Sequence, residues 1–456
     1  MENYIVAIDL GTSQSRIVAA LCDEKKPYGL NIVYTESQHS QGIKRGAVYS
    51  KEDVLKVIRN LVAGVEKKLT APAKRKMVGD AKRYVCVNIG GLNFIDTVVV
   101  EKLQLNGQAV TLRTLQTIEK KAEDSQLQYS EDDKVTRLVS LGYAIDNEPF
   151  SDDVLNRSGD TFEAKFLCFK AKQKVLSLIS SSFPENCKPN KYYTSTSAKA
   201  AVVLPSTLKR DGVVLIDLGS GSTGIAAFYK EALRYEVEIP IGSDTITNDI
   251  ASALKLSSRD AEFVKHRMGI IEEAKAENKF DVELPGGGIA KFDGLFYNLV
   301  VKSRVEEIAT YVATSIMEAQ KRSGCRDFQL VLTGGGSLLK GIEPIIADKT
   351  GLKVVSVDPV DLGSDINPVD FAAAVGMASM EARLLLSKVF EPTLPIEPNP
   401  MPEPAPAQTS NQPTEPAPEE KEPQATPKQT ESPKVKKGRF SGLFDRFNDI
   451  FDDDKK

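Results

Sequence analysis

Short apolar runs alternate with helical periodicities along this chain. Ile5-Val6-Ala7-Ile8 reads as a buried strand that ends in Asp9-Leu10-Gly11. Gln14 to Leu21 predicts a second strand, and Tyr84 to Ile89, Val213 to Ile216 and Phe328 to Leu332 predict three more. Lys51 to Leu69 instead places Val54, Leu55, Ile58, Leu61, Val62 and Val65 at helical spacing. Apolar strands separated by such helices predict an α/β fold. No window approaches about 18 uninterrupted apolar residues, so no membrane-spanning helix is expected.

One pattern occurs twice. Ile8-Asp9-Leu10-Gly11-Thr12 returns as Ile216-Asp217-Leu218-Gly219-Ser220, and beyond the turn Ile17 and Ala19 match Ile225 and Ala227. Each copy predicts a strand, a tight glycine turn and a second strand. A duplicated α/β domain with a cleft between its halves follows, the alternative being chance likeness of two hairpins. Glycine turns let backbone approach an anion, with turn amides and hydroxyls as donors to phosphate oxygens. Those donors are Gly11, Thr12 and Ser13 in the first turn, and Gly219, Ser220, Gly221, Ser222 and Thr223 in the second. Asp9 and Asp217, at the strand ends, suit Mg²⁺, which takes one or two carboxylates along with phosphates and waters. A third turn, Thr333-Gly334-Gly335-Gly336, follows a strand and offers side-chain-free backbone for a flat ligand.

The composition changes near residue 391. Thirteen of the 24 prolines lie between Glu391 and Lys437, with almost no large apolar side chains, which predicts a disordered linker or, alternatively, a proline-rich ligand segment. Residues 438–456 reverse this. Phe440, Leu443, Phe444, Phe447, Ile450 and Phe451 fall on one face of a helix, and Lys434, Lys436, Lys437 and Arg439 cluster ahead of it. Such a helix fits an anionic membrane surface, or else docks on protein; the acidic end, Asp452 to Asp454, argues against lipid.

The whole chain of 456 residues is 41% hydrophobic and 27% charged, ordinary for globular domains, and its length predicts several of them. A net charge of −4 argues against a general nucleic-acid binder. The five cysteines form no CxxC pair, so no disulfide scaffold or zinc cluster is expected and a reducing compartment fits. The first residues show no basic stretch ahead of an apolar one, so no signal peptide is expected.

The two phosphate turns and the glycine turn after them, in this order, resemble the actin-like ATPase superfamily. Within it the chain most resembles the FtsA family of bacterial cell-division proteins. The resemblance rests on Ile239 to Ala251, on Ala261-Glu262-Phe263-Val264-Lys265, and on Asn367-Pro368 followed by Ala372-Ala373-Ala374-Val375-Gly376. It implies a duplicated actin-like fold with 1–92 and 170–205 as first domain and 206–390 as second. Residues 93–169 would be an inserted FtsA-type interaction subdomain, 391–437 a linker and 438–456 a membrane-targeting helix. It also implies ATP as ligand, with Glu262 and Lys265 near the nucleoside; by residue type alone these two fit an intrahelical i,i+3 pair.

Further implications are self-assembly into filaments, the FtsZ C-terminal peptide bound by residues 243–313 with Arg304 as a basic contact, other division proteins, and location on the cytoplasmic face of the inner membrane at the septum. Arg304 fits an internal ion pair equally well. Two positions depart from the family pattern: Ser220 replaces a glycine, and Gly224 stands where a carboxylate is common. With no water-positioning residue evident, ATP binding is expected ahead of rapid turnover, with at most a slow ATPase. A small-molecule kinase or phosphatase of the same superfamily, or a pilus-assembly adaptor, is the alternative. A chaperone would need a substrate domain after residue 390.

Overall fold

The computed structural model describes residues 3–69, 82–90, 93–127, 132–151, 153–358, 361–362 and 366–386. The predicted linker and the predicted tail helix, with Phe440, Leu443, Phe444, Phe447, Ile450 and Phe451, lie outside the described residues.

Strands β1 (Asn3–Leu10), β2 (Gln14–Cys22) and β3 (Leu30–His39) run antiparallel in sequence. A short hairpin follows, β4 (Ile43–Lys44) and β5 (Ala47–Val48). Then come β6 (Lys82–Ile89), β7 (Phe94–Gln104), β8 (Asp133–Ile145), β9 (Thr161–Lys172) and β10 (Lys191–Thr194). The second half holds β11 (Val213–Leu218), β12 (Thr223–Tyr229), β13 (Ala232–Ile239), the pair β14 (Lys279–Glu283) and β15 (Ile289–Asp293), and β16 (Gln329–Thr333).

Two sheets repeat one plan. The first has strand order β10-β6-β1-β2-β3, and the second β13-β12-β11-β16. In each, the Asp-bearing strand pairs antiparallel with the strand after its turn and parallel with a strand on its other side. The registers agree too: Ile8 faces Ile17, and Ile216 faces Ile225. The duplication read from the sequence is thus a duplication of sheet topology, and the chain has the actin-like α/β architecture.

Both central strands are nearly continuous apolar runs because both faces of each sheet are covered. On one face of the first sheet, Ile8 and Ile17 pack with Val54, Ile58, Leu61 and Val65 of the helix Lys51–Leu69. On the other, Ile5, Ala7 and Val18 meet Ala374, Val375 and Ala378 of the helix Pro368–Leu386. That helix crosses the helix Ser195–Val203 so closely that a Cβ on Gly376 would sit 1.9 Å from the Ala198 carbonyl oxygen. In the second half, Val214, Ile216 and Leu218 pack with Val301, Val305 and Ile308 of the helix Gly294–Ser323.

Strands β7, β9 and β8 form a separate antiparallel sheet backed by the helix Leu112–Leu127. Strand alternation gives β9 two partners. Phe162, Ala164, Phe166 and Cys168 fill the local core with Val99 and Ile118, while Leu167 and Phe169 face Val213, Leu215 and Phe228 of the second half. An Arg322–Asp96 ion pair at 2.6 Å adds a polar tie between β7 and the helix Gly294–Ser323.

Candidate functional site

The carboxyl ends of β1, β11 and β16 open into one cavity of about 840 Å³. Gly11, Thr12 and Ser13 line it from one half, and Gly219, Ser220, Gly221 and Ser222 from the other. The turns meet at their tips: a Cβ on Gly221 would lie 2.4 Å from Thr12 Oγ1. The amides of Ser243 and Asp244, opening the helix Ser243–Leu254, donate to the carbonyls of Gly219 and Ser220 and so fix the second turn. Gly334, Gly335 and Gly336 form the third wall, and Gly334 takes φ 84°, a left-handed value that favours glycine. Residues Gly335–Leu338 make a 3-10 turn, and the helix Ile342–Thr350 follows.

Of the donors read from the sequence, Thr223 does not reach the cavity. It is the first residue of β12, fully buried, and its hydroxyl donates to the Ile241 carbonyl at 2.7 Å. The turn ends one residue earlier than the run of small polar residues suggests, and strand alternation then points Thr223 inward.

Asp9 and Asp217 both line the cavity and are largely buried. Lys199, on the helix Ser195–Val203, places Nζ 2.6 Å from Asp217 Oδ1. Arg16 Nη1 stands 4.0 Å from Asp9 Oδ2, and its Nη2 binds Asp370 at 2.9 Å. Burial raises the Asp9 carboxyl above the ordinary carboxylate range; the charges of Lys199 and Arg16 oppose that, and Asp217 adds to it. Asn88 holds the end of β1 by accepting from the Leu10 amide at 2.6 Å while donating to Ser195 Oγ at 2.8 Å.

Glu262 and Lys265 line the cavity and also form the i,i+3 pair, at 2.7 Å, so the two readings coincide. Their helix, Ser258–Met268, is capped by Ser257, whose Oγ accepts from the Asp260 amide. Lys265 is buried and donates to Thr247 Oγ1 at 2.8 Å, and Thr247 in turn bonds Glu262. Burial alone would raise Glu262, but hydrogen bonds from Lys265 and Thr247 outweigh it and hold the carboxyl below its ordinary value. His266, although 60% exposed, sits at the cavity edge 2.9 Å from Glu262.

Comparison with known proteins now bears on this geometry. The family described as "Cell division protein FtsA" matches residues 214–376, which hold the second and third turns. The cell division protein FtsA of Bacillus subtilis (strain 168) is 24% identical over 384 residues, 83% of each chain. That of Pseudomonas aeruginosa is 28% identical, covering 74% of this chain and 78% of its own. Escherichia coli (strain K12) FtsA is 25% identical over 75% of this chain and 80% of its own.

The chain is similar to the FtsA cell-division proteins over most of its length.

A solved structure titled "PilM-PilN type IV pilus biogenesis complex" superposes with TM-score 0.56 at 15% identity, covering 84% of this chain and 98% of that one. That likeness is one of fold, and it agrees with the actin-like architecture of the two sheets.

Three residues of the site are not singled out in the sequence: Lys199, Asn88 and Thr196. Only the fold brings them to the cleft. Thr196 explains Gly224. A Cβ at 224 would lie 1.8 Å from Thr196 Oγ1, so the position where a carboxylate was expected is filled by a neighbouring hydroxyl. The metal reading of Asp9 and Asp217 meets a related obstacle. The two carboxylates are already paired with Lys199 and Arg16, so the donor set does not fit a magnesium ion held by the protein. Arg304, finally, makes a bidentate ion pair with Asp249 at 2.6 and 3.1 Å and binds Glu307. Its fork is occupied from within the chain, which favours the internal ion pair over a contact that Arg304 makes alone.

Proposed function

We propose that this chain is an actin-like cell-division protein that binds ATP in the cleft between its two halves and acts as an adaptor for the division ring. The observation that carries the nucleotide reading is the convergence of two like glycine turns and a third glycine turn on one cavity. The amides of Thr12, Ser13, Ser220 and Gly221 make no hydrogen bond among the described residues, which leaves them free to donate to phosphate oxygens. The open backbone at Gly335 leaves room for the nucleoside, with Glu262 and Lys265 alongside. Mg²⁺, in this reading, is coordinated by the phosphates and water rather than by Asp9 and Asp217.

The adaptor reading is supported by the likeness to FtsA proteins over most of the chain. In it, the chain assembles with copies of itself, binds the C-terminal peptide of the FtsZ ring protein through residues 243–313, and recruits further division proteins. The tail stripe from Phe440 to Phe451 anchors it at the cytoplasmic face of the membrane at the septum. Among the described residues no helix is long and apolar enough to cross a membrane, and peripheral anchoring needs none.

The test is co-sedimentation of the full chain with anionic liposomes and FtsZ, with and without ATP. The adaptor reading expects FtsZ to pellet with vesicles only when this chain is present. FtsZ that stays in the supernatant although this chain pellets refutes it.

A further inference from the structure

The helix Ser195–Val203 presents two side chains, one turn apart, to the floor of the cleft. Thr196 fills the space that a side chain at 224 would need, and Lys199 pairs with the strand-end carboxylate of Asp217 at 2.6 Å. The Lys199 side chain is only 13% exposed, and that of Asp217 8%. A buried ammonium this close to one carboxylate, and electrostatically coupled to the second, is a built counter-charge and not a surface pairing. Arg16 supplies the other positive charge, at Asp9. The floor beneath the phosphate turns therefore carries Asp9, Asp217 and Asp370 with two fixed cations, Lys199 on Asp217 and Arg16 shared between Asp9 and Asp370, in the place where a divalent ion would otherwise be needed to keep Asp9 and Asp217 from repelling an anionic ligand.

We propose that Lys199 is a resident cation of this cleft, taking the place of a protein-held magnesium ion, so that a nucleoside polyphosphate binds without requiring a divalent metal. The inference rests on the nucleotide reading above. It makes Lys199 a specificity-determining residue: it neutralises Asp217 at all times, whereas a metal would do so only when bound. A metal associated with the phosphates is neither required nor excluded.

The experiment is equilibrium binding of a fluorescent ATP analogue to the full-length chain, in excess Mg²⁺ and in excess EDTA. The wild type should lose less than about threefold in affinity on chelation. Lys199→Ala leaves Asp217 uncompensated, so in EDTA it should bind on the order of tenfold or more weakly than wild type, with Mg²⁺ restoring most of the loss. Lys199→Gln keeps a hydrogen bond to Asp217 without the charge. It guards against a folding defect in the alanine variant, and circular dichroism checks both. The glutamine variant should show the same acquired dependence on Mg²⁺. Wild-type binding in Mg²⁺ that falls tenfold or more in EDTA overturns the inference and leaves the nucleotide reading intact. The same holds if folded Lys199→Gln binds like wild type in both conditions. No binding by folded wild type in either condition overturns both.

Discussion

Gly335 offers a clean way to put a charge into the cleft without disturbing the fold. It lines the cavity, its φ is not left-handed, and a Cβ built there meets nothing within 4 Å. Gly335→Asp should therefore fold as wild type, unlike a substitution at Gly334, where a Cβ would lie 2.5 Å from Asp217 Oδ1. A cavity of about 840 Å³ has an equivalent radius of about 6 Å, so a carboxylate on its wall lies roughly that far from a ligand at its centre. At an effective dielectric of about 20, repulsion between unit charges at that distance is about 3 kcal/mol, on the order of 100-fold in Kd. Calorimetric titration with ATP measures it. Gly335→Asn, close in shape but neutral, should lose far less, and the contrast separates charge from bulk. Melting temperatures should match across the three proteins. If Gly335→Asp binds ATP as tightly as wild type, the third turn is not part of a nucleotide site.

Two further predictions concern other parts of the chain. Glu236 on β13 is buried; its Oε1 accepts from the Ser197 amide at 3.0 Å, and its Oε2 has no hydrogen-bond partner among the described residues. Burial pushes its carboxyl up to about 7, against hydrogen bonding from Thr194 and the charge of Arg137. A raised folded-state value means that stability is fully present below the unfolded value and is lost as pH rises from about 4.5 to about 7, by at most roughly 3 kcal/mol. Urea denaturation should show Glu236→Gln gaining on wild type between pH 5 and pH 8; a gap that does not change with pH would refute the assignment. In the tail, Phe444→Glu with Phe447→Glu puts two charges in the apolar stripe and should abolish vesicle binding while leaving ATP affinity unchanged. Undiminished vesicle pelleting by that double variant would show that the stripe is not the anchor.

The parts of this account legible in the sequence are those that a local pattern encodes. The helix Lys51–Leu69 has the bounds its periodicity predicts, and its buried face differs only in that Val57 is buried and Leu55 half-buried. The duplicated strand-turn-strand units show directly as repeated residues, because the same tight turn and the same buried strand demand the same residue types. What was not legible depends on distant pairing. Lys199 lies in Ser195–Val203, a stretch of small residues with no signal; it becomes a site residue only because that helix crosses beneath β11. Arg304 fits a partner contact and an internal ion pair equally well in the sequence until Asp249, 55 residues earlier, is placed against it. Thr223 shows the limit of a composition-based boundary: a run of Gly and Ser marks a turn but not the residue at which strand alternation resumes. The cations beside Asp9 and Asp217 were missed for the same reason, since Lys199 comes from another element.

The central claim is that three turns from two half-domains enclose one nucleotide. Hydrogen-exchange mass spectrometry of the full chain, with and without saturating ATP, tests it most directly, because it reads all three turns at once. The account predicts slowed exchange in peptides covering Gly11 to Ser13, Gly219 to Ser222 and Gly334 to Gly336 together. Saturable ATP binding that leaves the turns of one half unprotected, or that protects only segments outside the cleft, would contradict it.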